Sequence, residues 1–213
     1  MMDLIKFFEL AAFITALLNI RTIRKNAFLI RLALLVTVIT ATEFAGYFLS
    51  LYSIPNLWYY NTIFIPVQFL LYGYAFSAGL QNSNFRRLIL PLTSCFAIIY
   101  ATAYLLIDPS KAFCTIGYCT GSIMVASFAI MYIAFLINKK EVIDFLKLPV
   151  VYLMLSLILY YLITIPFYTA GYFYYRRYDT LLNILAGTMT MLNYLLYTAF
   201  SFTFLWIKKN PLY

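Results

Sequence analysis

Between residues 3 and 207 the chain is a succession of continuous apolar runs separated by short polar interruptions. The runs cover roughly 3–20, 27–53, 58–80, 88–107, 116–137, 149–169 and 181–207. They do not alternate at period two, so they read as helices rather than strands. Each is close to the ~20 residues that cross a bilayer as a helix, and an open sheet edge has no place in lipid. The pattern predicts an all-α polytopic membrane protein, residues 1–213 forming a single domain of seven transmembrane helices. The expected loops are short and the tail runs only from Lys208 to Tyr213. Any activity is therefore expected in the bundle itself or in a separate partner chain.

Polar residues inside these runs recur at helical spacing, which places them in stripes. The second run carries Thr40, Glu43, Tyr47 and Ser50, with Gly46 beside them to let another helix approach. The third carries Asn61, Gln68 and Tyr72 around Pro66, a proline that frees a backbone carbonyl. The sixth offers Tyr152, Ser156, Tyr160 and Thr164, and the seventh Asn183, Gly187, Thr190, Asn193 and Tyr197. Counting depth at about 1.5 Å per residue puts Glu43, Gln68, Tyr160 and Asn193 near the bilayer midplane. Asn61 and Asn183 fall nearer the outer face. The expectation is a polar cluster with an outer vestibule, its candidate substrate-binding residues Gln68, Asn193, Asn61, Asn183 and Tyr160.

Glu43 is the costliest of these groups, because a carboxyl at a helix centre opposes insertion by about 2.5–3.5 kcal/mol. Arg31 lies about 18 Å away along the same helix, and no cation is expected at the depth of Glu43. The residue then reads as a neutral acid held by amides and tyrosines. Two roles stay open for it, proton coupling and a structural lock between helices.

Composition agrees with the pattern: 65% of residues are hydrophobic and 10% charged, with mean hydropathy +0.89, against about 25% charged in soluble domains. The net charge of +8 is not a nucleic-acid signature. Arg21, Arg24, Lys25, Arg31, Arg86, Arg87, Lys139, Lys140, Lys147, Lys208 and Lys209 all fall on one side of the predicted topology. Lys6, Lys111, Arg176 and Arg177 fall on the other. That asymmetry predicts an outside N-terminus and a cytoplasmic C-terminus. Asp3 and Glu9 interrupt what would be a basic leader, so the first run reads as a span rather than a cleaved signal.

Other chemistries find little support. The chain has no histidine, which removes His-ligated zinc, bis-His haem and His-activated nucleophiles. The acidic residues show no metal-binding pairing and no phosphate loop is present, so no cofactor, no metal and no enzymatic activity is expected. Cys114 and Cys119 sit where an oxidising compartment could join them, with free thiols the simpler reading. The segment KKEVIDFLKL (139–148) is expected to lie along the inner surface. The tyrosine-rich stretch 169–180, with Arg176 and Arg177, is expected to form an aromatic belt or an outer lid.

Two segments rhyme: VQFLLY at 67–72 and LNYLLY at 192–197. Each sets a carboxamide, Gln68 or Asn193, ahead of an aromatic and LLY. The match suggests a 3+1+3 parallel repeat with span four as the inverter, and chance similarity in so apolar a chain remains the alternative. With seven spans and an outside N-terminus, the chain resembles the SWEET and PQ-loop class of transporters. In that class an asparagine on the third helix of each repeat lines the sugar site, and Gln68 and Asn193 occupy matching places. Spans one, two and five lack the hinge prolines of that class, and the PQ dipeptide is absent. YYNTIFIPVQFLLYGYAF is also similar in style to small seven-span membrane proteins of Bacteroidota, which implies a bacterial cytoplasmic membrane.

The function expected is a small-solute carrier or binding protein, its partners the lipid bilayer and a small polar solute. The alternative is a receptor-like sensor or interaction protein that signals through a partner membrane protein or a second copy of itself. The small-residue pairs Ala75–Gly79 and Gly117–Gly121 would serve helix contacts within or between protomers.

Overall fold

The computed structural model describes residues 2–81, 83–139, 148–174 and 179–206. Seven long helices account for nearly all of them: α1 (Met2–Leu18), α2 (Ala27–Leu51), α3 (Leu57–Gly79), α4 (Arg86–Leu105), α5 (Thr115–Lys139), α6 (Pro149–Tyr174) and α7 (Asp179–Trp206). A single helical turn, Ile20–Ile23, joins α1 to α2. No strand occurs among the described residues. Helices α2 to α6 are each long and apolar enough to cross a membrane. α1 is 17 residues long, and α7, at 28 residues, carries more polar groups along its length. The segments 140–147 and 175–178, including most of the inner-surface helix and the centre of the lid expected from the sequence, lie outside the described residues.

Local chemistry accounts for the helix ends. Asn26 caps α2, its side-chain oxygen accepting from Phe28 N at 3.0 Å and Leu29 N at 3.3 Å, which satisfies two of the orphan donors of a first turn. At the other end Ile54 N bonds Leu49 O at 2.9 Å and Ser53 N bonds Ser50 O at 3.0 Å. This is the Schellman arrangement, which places a left-handed residue just after the C-cap, here Tyr52. Ser53 supplies it with φ 57°, and Pro55 then prevents the helix from resuming.

The helices close into a ring. α1 packs on α2, α2 on α3, α3 on α5, α5 on α6, α6 on α7, and α7 returns to α1; α4 lies outside, against α3 and α5. The seams are built from large side chains set on small ones. Gly79 receives Phe28 and Tyr132, Gly117 receives Tyr100, and Gly121 receives Phe69. Both small-residue pairs expected from the sequence therefore serve contacts within one chain. On the outside, Phe7, Leu18, Leu90, Ile98, Leu105, Ile116 and Met191 are exposed. So much apolar surface suits lipid rather than water.

The third helix changes pitch near its start. Tyr60–Phe64 is π-helical before α-helical geometry resumes at Ile65, and Ile65 N bonds Tyr60 O, five residues back. The next bond in that series would run from residue 66 to Asn61 O, but Pro66 has no N–H. The Tyr100 hydroxyl of α4 donates to Asn61 O instead. The carbonyl freed by the proline is thus satisfied from a neighbouring helix, as membrane interiors demand.

Candidate functional site

The ring encloses a cavity of about 120 Å³. Its walls include Glu9 from α1, Ile39 and Glu43 from α2, Tyr60, Gln68 and Tyr72 from α3, Tyr118 from α5, Tyr160, Tyr161 and Tyr168 from α6, and Asn193 and Tyr197 from α7. Glu43, Gln68, Tyr160 and Asn193, which the depth count set at one level, meet here. Each comes from a different helix, and each helix turns this part of its polar stripe inward.

Glu43 is held by Tyr60, whose hydroxyl donates to Glu43 Oε2 at 3.1 Å. That contact depends on Gly46. A Cβ at this position would lie 2.6 Å from the Tyr60 hydroxyl, well inside van der Waals distance. Gly46, one turn from Glu43, is therefore the floor on which the tyrosine lies. Nearby, Tyr59 donates to Thr42 O at 3.0 Å and Asn56 to Gly46 O at 3.2 Å, fixing the start of α3 against the end of α2.

Gln68 donates through Nε2 to the Tyr161 hydroxyl at 2.7 Å. Tyr161 is fully buried and packs edge-on against Tyr72, ring centroids 5.6 Å apart. Two turns along α6, Tyr168 is in ring contact with Tyr118 at 4.6 Å and stacks on Phe113 at 4.7 Å. The cavity is thus a chamber of tyrosine rings and hydroxyls, with two carboxyls and two carboxamides among them.

Two acceptor atoms in its wall have no hydrogen-bond partner. Glu9 is 4% exposed and Gln68 is 7% exposed, and Glu9 Oε2 and Gln68 Oε1 are both unpaired. Buried polar atoms are ordinarily partnered, and each exception costs about 1–3 kcal/mol. Thr40 Oγ1, on the α2 stripe but outside the cavity wall, is unpaired as well.

Glu9 is the residue that sequence reasoning missed. It served there only to rule out a signal peptide, although its place midway along an apolar run was itself a signal. Lys6, one turn earlier on α1, corrects a second expectation. Its ammonium lies 3.5 Å from the Tyr47 ring centroid, in the cation–π range, and is close enough to act electrostatically on both Glu9 and Glu43. Depth counted along α2 alone misses this cation, which the neighbouring α1 brings over the Tyr47 ring, one turn from Glu43.

Asn61 and Asn183 are placed apart from the cavity wall. Asn61 is fully buried, and both its N–H groups are spent on Pro109 O at 2.9 Å and Ala112 O at 2.8 Å. Its Oδ1 accepts from Cys114 N at 3.0 Å, so the side chain clamps the α4–α5 connection onto the π turn. Asn183 is exposed on α7, and among the described residues no atom lies within 4 Å of where a Cβ on Gly187, one turn on, would stand. The two do not form a vestibule. The other stripes divide in the same way: Ser50 and Tyr152 are exposed, while Thr164 bonds Ser122 of α5 at 3.1 Å. Cys95, Cys114 and Cys119 are free thiols.

No protein-family model, no curated protein and no solved structure matches this chain.

Proposed function

We propose that the chain is a membrane carrier or binding protein for a small polar solute, which it holds in the chamber between α1, α2, α3, α5, α6 and α7. All seven long helices cross the bilayer in this reading, with the N-terminus outside and the basic loops cytoplasmic. The observation that carries it is the pair of unpaired acceptors, Glu9 Oε2 and Gln68 Oε1, in the wall of a cavity inside an otherwise apolar bundle. A structural polar cluster would satisfy its own members. This one leaves capacity for a guest.

Gln68 and Asn193 orient the solute, Tyr160 and Tyr161 supply adaptable hydroxyls, and Glu43 is the candidate for proton exchange. The ring order supports a 3+1+3 organisation. The contacts α1–α2, α2–α3 and α3–α5 are repeated as α5–α6, α6–α7 and α7–α1, with α4 set aside. Two three-helix units of that kind would rock about the chamber to expose it to either side.

A receptor-like sensor is the second reading, favoured by the absence of proline inside α1, α2 and α5. It would use the same chamber but hold the solute without moving it, and it requires a partner chain. Counterflow of radiolabelled solute in proteoliposomes separates the two. A carrier exchanges internal for external solute, and a sensor binds it with no exchange.

A further inference from the structure

We propose that the guest of this chamber is a small organic ammonium ion, bound through its N–H groups by Glu9 and Gln68 and surrounded by aromatic faces. The inference rests on the solute-binding reading above and names the solute's class.

Hydrogen-bond sense comes first. Both unpaired atoms in the wall are acceptors, Glu9 Oε2 and Gln68 Oε1, so the guest must bring donors. An anion has none to offer and would also meet two carboxyls. A protonated amine offers two or three N–H donors and no competing acceptor.

The charge balance points the same way. Two carboxyls, Glu9 and Glu43, share this region with one ammonium, Lys6. Carboxyls outnumber ammonium groups around the chamber, which favours a cationic guest over an anionic one. An unbalanced charge in so apolar a surrounding is strongly disfavoured. No described lysine or arginine lines the chamber itself.

The walls then distinguish an organic cation from a metal ion. Tyr60, Phe64, Tyr72, Phe113, Tyr168 and Phe200 present rings to the same space. Aromatic faces attract ammonium groups through the ring quadrupole and also accept an alkyl chain, whereas a hard cation seeks several oxygen ligands at once. The volume is of the order that admits a benzene-sized molecule, about 150 Å³ in a known engineered cavity, so the guest has roughly four to six heavy atoms.

The test uses the full chain purified in detergent, with thermal melting and calorimetric titration against three near-isosteres. These are n-butylammonium, 1-butanol and butyrate; sodium chloride, erythritol and a set of sugars, amino acids and nucleosides are run alongside. The expected result is a saturable rise in melting temperature with n-butylammonium alone among the three isosteres. In Glu9→Gln, which keeps the shape and removes the charge, affinity for it falls at least tenfold. Stabilisation by 1-butanol as strong as by the amine overturns the proposal, as does a response to sodium chloride that matches it. Binding of a neutral sugar with no response to the amine overturns the ammonium class and leaves the solute-binding reading standing. Silence from every probe overturns both. The comparison among isosteres is made on the unaltered chain, so it does not depend on any variant folding.

Discussion

The Tyr60 hydroxyl reaches Glu43 Oε2 at 3.1 Å by lying across Gly46, where a Cβ would stand 2.6 Å from that hydroxyl. The buried carboxyl and the glycine one turn away thus form one device. Gly46→Ala is expected to push Tyr60 aside, costing about 1–3 kcal/mol as overpacking does, and to release Glu43 from its donor. Tyr60→Phe should cost less, because it removes the hydrogen bond without the clash. Thermal melting of the two variants decides the order, and an undisturbed Gly46→Ala protein would contradict the packing described.

Asn61 and Asn193 are expected to part company on substitution. Asn61→Ala leaves Pro109 O, Ala112 O and Cys114 N without their partner, each a loss of about 1–3 kcal/mol if no water replaces it. It should lower the melting temperature markedly while the remaining folded protein binds solute normally. Asn193→Ala, at the cavity wall, should do the reverse. Measuring melting and solute affinity on both variants checks the contrast.

Tyr100 answers for the missing N–H of Pro66. Tyr100→Phe is expected to destabilise the chain by about 1–3 kcal/mol, the cost of an unpaired buried carbonyl. In a Pro66→Ala background residue 66 gains an N–H that can reach Asn61 O, so the same substitution should cost less. A double-mutant cycle on melting free energies reads the coupling directly; simple additivity would show that the two groups do not share that carbonyl.

The topology has its own check. With Cys95, Cys114 and Cys119 replaced by alanine, Ser110→Cys in the α4–α5 connection is expected to react in intact cells with a maleimide that cannot cross membranes. Ser83→Cys, between α3 and α4, should react only after the cells are opened. Equal labelling of both positions would mean that α4 does not separate two sides.

Much of the fold was legible because lipid leaves a helix few alternatives. The run at 27–53 became Ala27–Leu51 and the run at 58–80 became Leu57–Gly79, since continuous apolarity and a definite length are what a bilayer demands. The meeting of Glu43, Gln68, Tyr160 and Asn193 was legible for a related reason: depth along a helix can be counted. What could not be counted is the direction in which a residue points relative to helices not yet placed. Asn61 shares a helical stripe with Gln68, yet the π turn rotates it toward the α4–α5 connection. Lys6 and Glu9 belong to the site only because α1 packs antiparallel to α2 and closes the ring with α7, a relation that no single run contains. Tyr160 lines the chamber at the expected depth, while its neighbour Tyr161 is the one that bonds Gln68, a distinction that helical spacing alone does not draw.

The chamber is expected to hold its guest through groups left unpaired in its wall. The most direct measurement is calorimetric titration of the purified chain with n-butylammonium and with the neutral solutes, repeated on Gln68→Leu. Removing the carboxamide deletes the unpaired Gln68 Oε1 together with the bond to Tyr161. Saturable binding by the unaltered chain is expected, lost or weakened at least tenfold in the variant even where its melting temperature stays within a few degrees. Binding that survives unchanged in Gln68→Leu would place the guest elsewhere, and no binding by the unaltered chain would make the chamber a structural feature only.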